Sequence, residues 1–161
     1  MTDRTVGSNV LYELAQTMAG QDNYPTAIAL RKVAQAGYTT LEQVDGVSDW
    51  VLLAIPGIGI GRLGAVRRLV RPDWQSPSPK ALKAAERFLS AARFARRFWP
   101  IEALEALVQS STLPSTDDGP VEKRLALELF SQATRQALPN CDAEELLQAL
   151  RQGSVGLPGS I

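Results

Sequence analysis

Nowhere along the chain do apolar and polar residues alternate one by one over the length of a strand; wherever a pattern is sustained, its period is helical. That restricts the fold to the all-α class. Turn and cap residues divide the pattern into segments. Ser8 or Asn9 can cap a first helix running to Gly20, and Pro25 suits the first turn of a second that ends near Gly37, with Ala27, Leu30, Ala34 and Gly37 along one side. Thr39 and Thr40 precede Glu42 and Gln43 at capping-box spacing, Asp45-Gly46 stops that short helix, and Ser48 with Asp49 opens another that Pro56 ends. A further helix begins near Ile60.

The segment RPDWQSPSPK then breaks the periodicity, because Pro72, Pro77 and Pro79 withdraw backbone donors. Beyond it, Ser78 caps a long helix to about Trp99, and Pro100 opens another through Val108. Asp118 and Pro120 start one to Leu138, and Asp142 caps a last one to Arg151. These breaks predict a helical domain over 1–72, a proline-rich linker over 73–79, a second helical domain over 80–152 and a flexible tail over 153–161.

Composition narrows the function more by exclusion than by suggestion. The chain has 161 residues, no histidine and a single cysteine, Cys141. Ser-His-Asp and Cys-His catalysis, a zinc site of the usual Cys/His kind and an intrachain disulfide are therefore ruled out. A non-enzymatic protein with neither cofactor nor metal is the expectation. No apolar run approaches the roughly 18 residues of a membrane helix, and the N-terminal stretch lacks a basic region followed by an apolar signal core. The expectation is a cytoplasmic protein without a membrane partner.

Formal net charge is zero, yet the charges are not evenly spread. Residues 1–54 carry −3, residues 55–100 carry +8 and residues 101–161 carry −5. A central basic block of this kind is an electrostatic footprint for a polyanion.

Within that block, LLAIPGIGIGRLGAVRRLV (52–70) is the most informative segment. Pro56 ends one helix, while Gly57 and Gly59 permit positive φ and expose backbone N–H groups that no β-carbon shields. Those groups precede a helix N-terminus, where unpaired donors and partial positive charge suit a phosphate oxygen. Ile58 can fill the gap between the two helices. Leu63, Val66 and Val70 recur at helical spacing and make a buried stripe, with Arg68 and Arg71 roughly opposite it and Arg62 and Arg67 on its flanks.

Ile55-Pro56-Gly57-Ile58-Gly59 followed by Leu63 and Val66 resembles the helix-hairpin-helix family, whose signature is Pro-Gly-apolar-Gly before a short amphipathic helix. The likeness extends upstream. From about residue 24 to residue 70 the chain is similar to the C-terminal domain of the RNA polymerase alpha subunit. The resemblance implies a helix-hairpin-helix domain over 1–72 whose amides hold double-stranded DNA across the minor groove with little reading of bases. With the arginines whose place on the second helix lets them reach neighbouring phosphates, the expected DNA-binding set is Gly57, Ile58, Gly59, Ile60, Gly61, Arg62, Arg67, Arg68 and Arg71. The family commonly has a basic residue at the second place after the last hairpin glycine; here that place is Gly61, with Arg62 beside it.

The long helix adds a second set of cations. Leu82, Ala85, Phe88, Leu89, Ala92, Ala95 and Trp99 share one face, while Lys83, Arg87, Arg93 and Arg97 lie on the other with Phe94 among them. These four extend the expected DNA track, and Phe94 either stacks on a base or joins a second helix interface. Leu104, Leu107, Leu125, Leu129, Phe130, Leu146, Leu147 and Leu150 recur at helical spacing in the acidic remainder, as core or as a surface for a protein partner or homodimer. Asp117-Asp118 and Glu144-Glu145 read as helix caps rather than acid–base or magnesium pairs, and Cys141 as a half-buried loop residue. The sequence thus points to a non-enzymatic, largely sequence-tolerant DNA-binding protein. Its rivals are a module that docks a transcription or DNA-processing partner and an accessory subunit for nuclease or repair chemistry.

Overall fold

The structure is a computed structural model that describes residues 9–114 and 119–154. Among them every regular element is an α-helix. Asp118 and the paired carboxylate Asp117, together with Ser8 and residues 155–161 of the expected tail, lie outside the described residues. The chain divides into two compact units, Met1–Ser76 and Pro77–Ile161.

The first unit holds α1 (Val10–Gly20), α2 (Tyr24–Gln35), α3 (Leu41–Asp45), α4 (Asp49–Leu53) and α5 (Ile60–Val70). Local chemistry fixes each start. Asn9 Oδ1 accepts from Leu11 N at 2.9 Å, Thr40 Oγ from Gln43 N at 3.2 Å and Ser48 Oγ from Val51 N at 3.4 Å. Gln43 completes a box one residue early, its Oε1 accepting from Thr39 N at 2.7 Å. Helix α2 is the hub, packed against both α1 and α5. Its inner face carries Ala27, Leu30, Val33 and Ala34 into a core shared with Leu11, Val44, Leu52 and Leu63, all buried. Gly37, expected on that face, is instead an exposed residue at φ +110°, past the end of the helix, where a β-carbon is disfavoured.

The second unit holds α6 (Pro79–Ala95), α7 (Ile101–Ser110), α8 (Val121–Ala137) and α9 (Ala143–Ser154). Ser78 Oγ accepts from Ala81 N at 3.2 Å and Pro79 takes the first helical position, so α6 starts where its sequence directs. Helices α6 and α8 run antiparallel, with Phe88 against Phe130 at 5.3 Å between ring centroids, both rings fully buried. At one end the Trp99 indole N–H donates to Lys123 O at 2.8 Å, and the Lys123 ammonium sits 4.6 Å from the Trp99 ring centroid. Helix α9 covers both α6 and α7 with Leu146, Leu147 and Leu150, and extends to Ser154, beyond the expected end at Arg151.

Candidate nucleic-acid interface

Helices α4 and α5 are joined by a tight turn. Ile58 N donates to Ile55 O at 3.0 Å, which folds Pro56 and Gly57 outward and turns the Ile58 side chain into the core. Gly57 has φ +89°, a conformation that suits glycine. A β-carbon at Gly57 would lie 2.9 Å from Cε of Lys32, so the lysine stem from α2 runs directly across this residue. On its carbonyl, Arg62 Nη1 donates at 2.7 Å. Two cations from different helices thus meet at one exposed glycine.

Gly59 is the N-cap of α5 and has no side chain to satisfy the helix. Leu63 N bonds to Gly59 O at 2.9 Å, while among the described residues no chain atom accepts from the N–H of Gly59, Ile60, Gly61 or Arg62. Around Gly59 and Gly61 the space where a β-carbon would stand is open. The result is an uncapped, electropositive helix terminus beside Lys32 and Arg62, an arrangement suited to an oxyanion.

The remaining arginines of α5 do not all join it. Arg67, expected on the flank and free to reach phosphate, is 2% exposed. Its Nε donates to Asp49 Oδ1 at 2.8 Å, its Nη1 to Val44 O at 2.9 Å and its Nη2 to Val47 O. Asp45 stands 3.8 Å from the same guanidinium. Arg67 is therefore a structural clasp, and its planar fork matches acceptors from three directions. Val70, expected in the buried stripe, is 41% exposed at the last turn, so the inner face of α5 is Leu63, Val66 and Arg67. Arg71 is exposed but pairs with Asp45, with Nε and Nη2 each 2.8 Å from Oδ1, which offsets its charge. Arg68 remains at the surface, its guanidinium 5.3 Å from the Trp74 ring centroid. Gly64 makes that approach possible, since a β-carbon there would stand 2.7 Å from Arg68 Nη1 and 3.3 Å from Trp74.

Lys32 was invisible to local sequence reading, because what brings it to the turn is the packing of α2 on α5. The charge block also changes meaning. Its +8 spans both compact units, and each unit taken whole is formally neutral. Lys83, Arg87 and Arg93 are exposed on α6 in the second unit; the helix ends at Ala95 rather than near Trp99, so Arg97 lies exposed in the turn that follows, 5.9 Å from the Phe94 ring centroid and 5.8 Å from that of Phe98.

Among the described residues no three His, Cys, Asp or Glu side chains are grouped to hold a metal ion. Glu145 N donates to Asp142 Oδ2 at 3.3 Å, as a cap requires. Burial, reinforced by Glu145, pushes the Cys141 thiol above its ordinary pKa, the opposite of activation. Among the described residues no helix is long and apolar enough to cross a membrane. Comparison with known proteins gives no match to a family model, a curated protein or a solved structure.

Proposed function

We propose that the first unit binds double-stranded DNA without enzymatic action, holding the phosphate backbone at the α4–α5 turn with little preference for sequence. One observation carries the reading: among the described residues the N–H groups that open α5 have no acceptor, and they lie beside Lys32 and Arg62. The resemblance of Ile55–Gly59 to a helix-hairpin-helix supports it. The working cations of this site are Lys32, Arg62 and Arg68, a different set from the four arginines 62, 67, 68 and 71 that the sequence suggests.

That number sets the test. Three phosphate contacts give a slope of about −2.7 in log affinity against log salt, or roughly a 40-fold loss between 50 and 200 mM. Fluorescence anisotropy on a short labelled duplex should show this slope. Scrambling the duplex sequence should change affinity little, because backbone contacts carry no base information. Lys32→Glu with Arg62→Glu should weaken binding at least tenfold while circular dichroism stays helical. A flat salt response, or full binding by the double variant, would overturn the proposal.

A further inference from the structure

The antiparallel pair α6 and α8 leaves a continuous groove on the surface of the second unit. One stretch, about 430 Å³, is lined by Arg87, Ser90, Ala91 and Phe94 from α6 and by Leu129, Gln132, Ala133 and Gln136 from α8. The next stretch, about 370 Å³, shares Arg87 and Gln136 with the first and adds Lys80, Lys83 and Asn140. The two stretches differ in chemistry. At the Lys80 end there are three cations and two amides; toward Phe94 the walls become apolar.

From the apolar end a stripe continues along the exposed side of α8. Leu129 is 43% exposed, Leu125 47% and Val121 66%, spaced four residues apart. Four-residue spacing keeps them on one face over about 12 Å. Amphipathic burial does not explain these three, since the buried face of α8 is Ala126, Leu127, Phe130, Ala133 and Ala137. The cations are uncompensated as well. Lys80, Lys83 and Arg87 enter no ion pair among the described residues, and no Asp or Glu lines either stretch of the groove.

We infer that this groove receives an acidic amphipathic helix of a protein partner, its apolar side chains seated against Phe94, Leu125 and Leu129 and its carboxylates facing Lys80, Lys83 and Arg87. Charge complementarity selects an acidic occupant, and the aliphatic stripe selects a protein over a nucleic acid. Leucine and valine offer bases no stacking platform, and the Phe94 ring is already engaged edge-to-face by Phe98 at 5.6 Å and flanked by Arg97. Helix-in-groove docking of this kind is read through anchors one turn apart, as the α8 stripe provides.

The full chain can be tested with a displayed library of random peptides, counter-selected against a Leu125→Asp, Leu129→Asp variant. Enriched sequences should be net acidic with apolar residues at i, i+3 or i+4, and i+7. An enriched peptide titrated by calorimetry should lose at least tenfold in affinity with Arg87→Glu and, separately, with Leu129→Asp. Both positions are exposed, and unchanged thermal melting confirms that the variants are folded. Four outcomes would overturn the inference: no enrichment, enrichment without acidic character, displacement of the peptide by a single-stranded oligothymidylate, or concentration-dependent dimerisation abolished by Leu125→Asp. The last would make a second copy of the chain the occupant.

Discussion

Arg67 and Arg68 are adjacent on α5, yet one side chain is spent inside the protein and the other lies on its surface. Removing Arg67 would take the guanidinium from the Val47 carbonyl and the Asp49 carboxylate and leave the Val44 carbonyl only its long bond from Val47 N at 3.4 Å. Arg67→Ala should therefore lower stability by about 3 kcal/mol, while Arg68→Ala, which gives up only a surface cation–π contact with Trp74, should cost about 0.5–1 kcal/mol. Urea denaturation distinguishes them, and equal midpoints would refute the assignment of Arg67 as a clasp. Arg67→Lys should recover little, since a single ammonium cannot reach three acceptors set around a planar fork. The sequence does carry a trace of this role. Position 67 lies four residues after Leu63 on the same face of α5, and Asp45 and Asp49 repeat at the same interval upstream. Residue type argued for solvent and position argued for the core; the acceptors that decide between them come from α3, α4 and the loop that joins them, which no local window contains.

At the scale of elements, the order and type of the helices were legible because caps and prolines mark their starts: Asn9, Thr40, Ser48 and Ser78 each cap as their spacing indicates. What the pattern could not supply was the packing of α2 on α5, and with it Lys32 at the turn. The two turn glycines differ in a way that this packing makes measurable. Gly57 has positive φ and Lys32 against its α-carbon, whereas Gly59 has φ −101° and open space. Gly57→Ala should cost about 1–2 kcal/mol, from the disfavoured backbone conformation and displacement of the lysine stem. Gly59→Ala should leave stability within about 0.5 kcal/mol. Thermal melts of the two variants test this directly, and a Gly59→Ala loss as large as that of Gly57→Ala would contradict the geometry of the turn. Val70 shows the converse limit of periodicity: the stripe it seemed to continue stops because α5 itself stops there.

For the whole molecule, two separate cores imply that damage to one unit leaves the other intact. Phe88 and Phe130 are central to the second unit, so Phe88→Ala should destabilise that unit by about 3–5 kcal/mol. Duplex binding at the α4–α5 turn should persist in this variant under conditions where hydrogen exchange shows α6 and α8 opened. Loss of binding in step with that opening would place part of the DNA site in the second unit. The charge block is legible in the sequence, but its division between two neutral units emerges only once the chain is folded. Within the first unit, the Arg67 clasp also has a bearing on folding order. Its acceptors lie 18 and 23 residues back along the chain, at Asp49 and Val44. A guanidinium enclosed with only some of those acceptors in place is worse than one left in water, so the clasp forms as a unit or not at all. Full burial of Arg67 therefore waits until α3, α4 and α5 have come together.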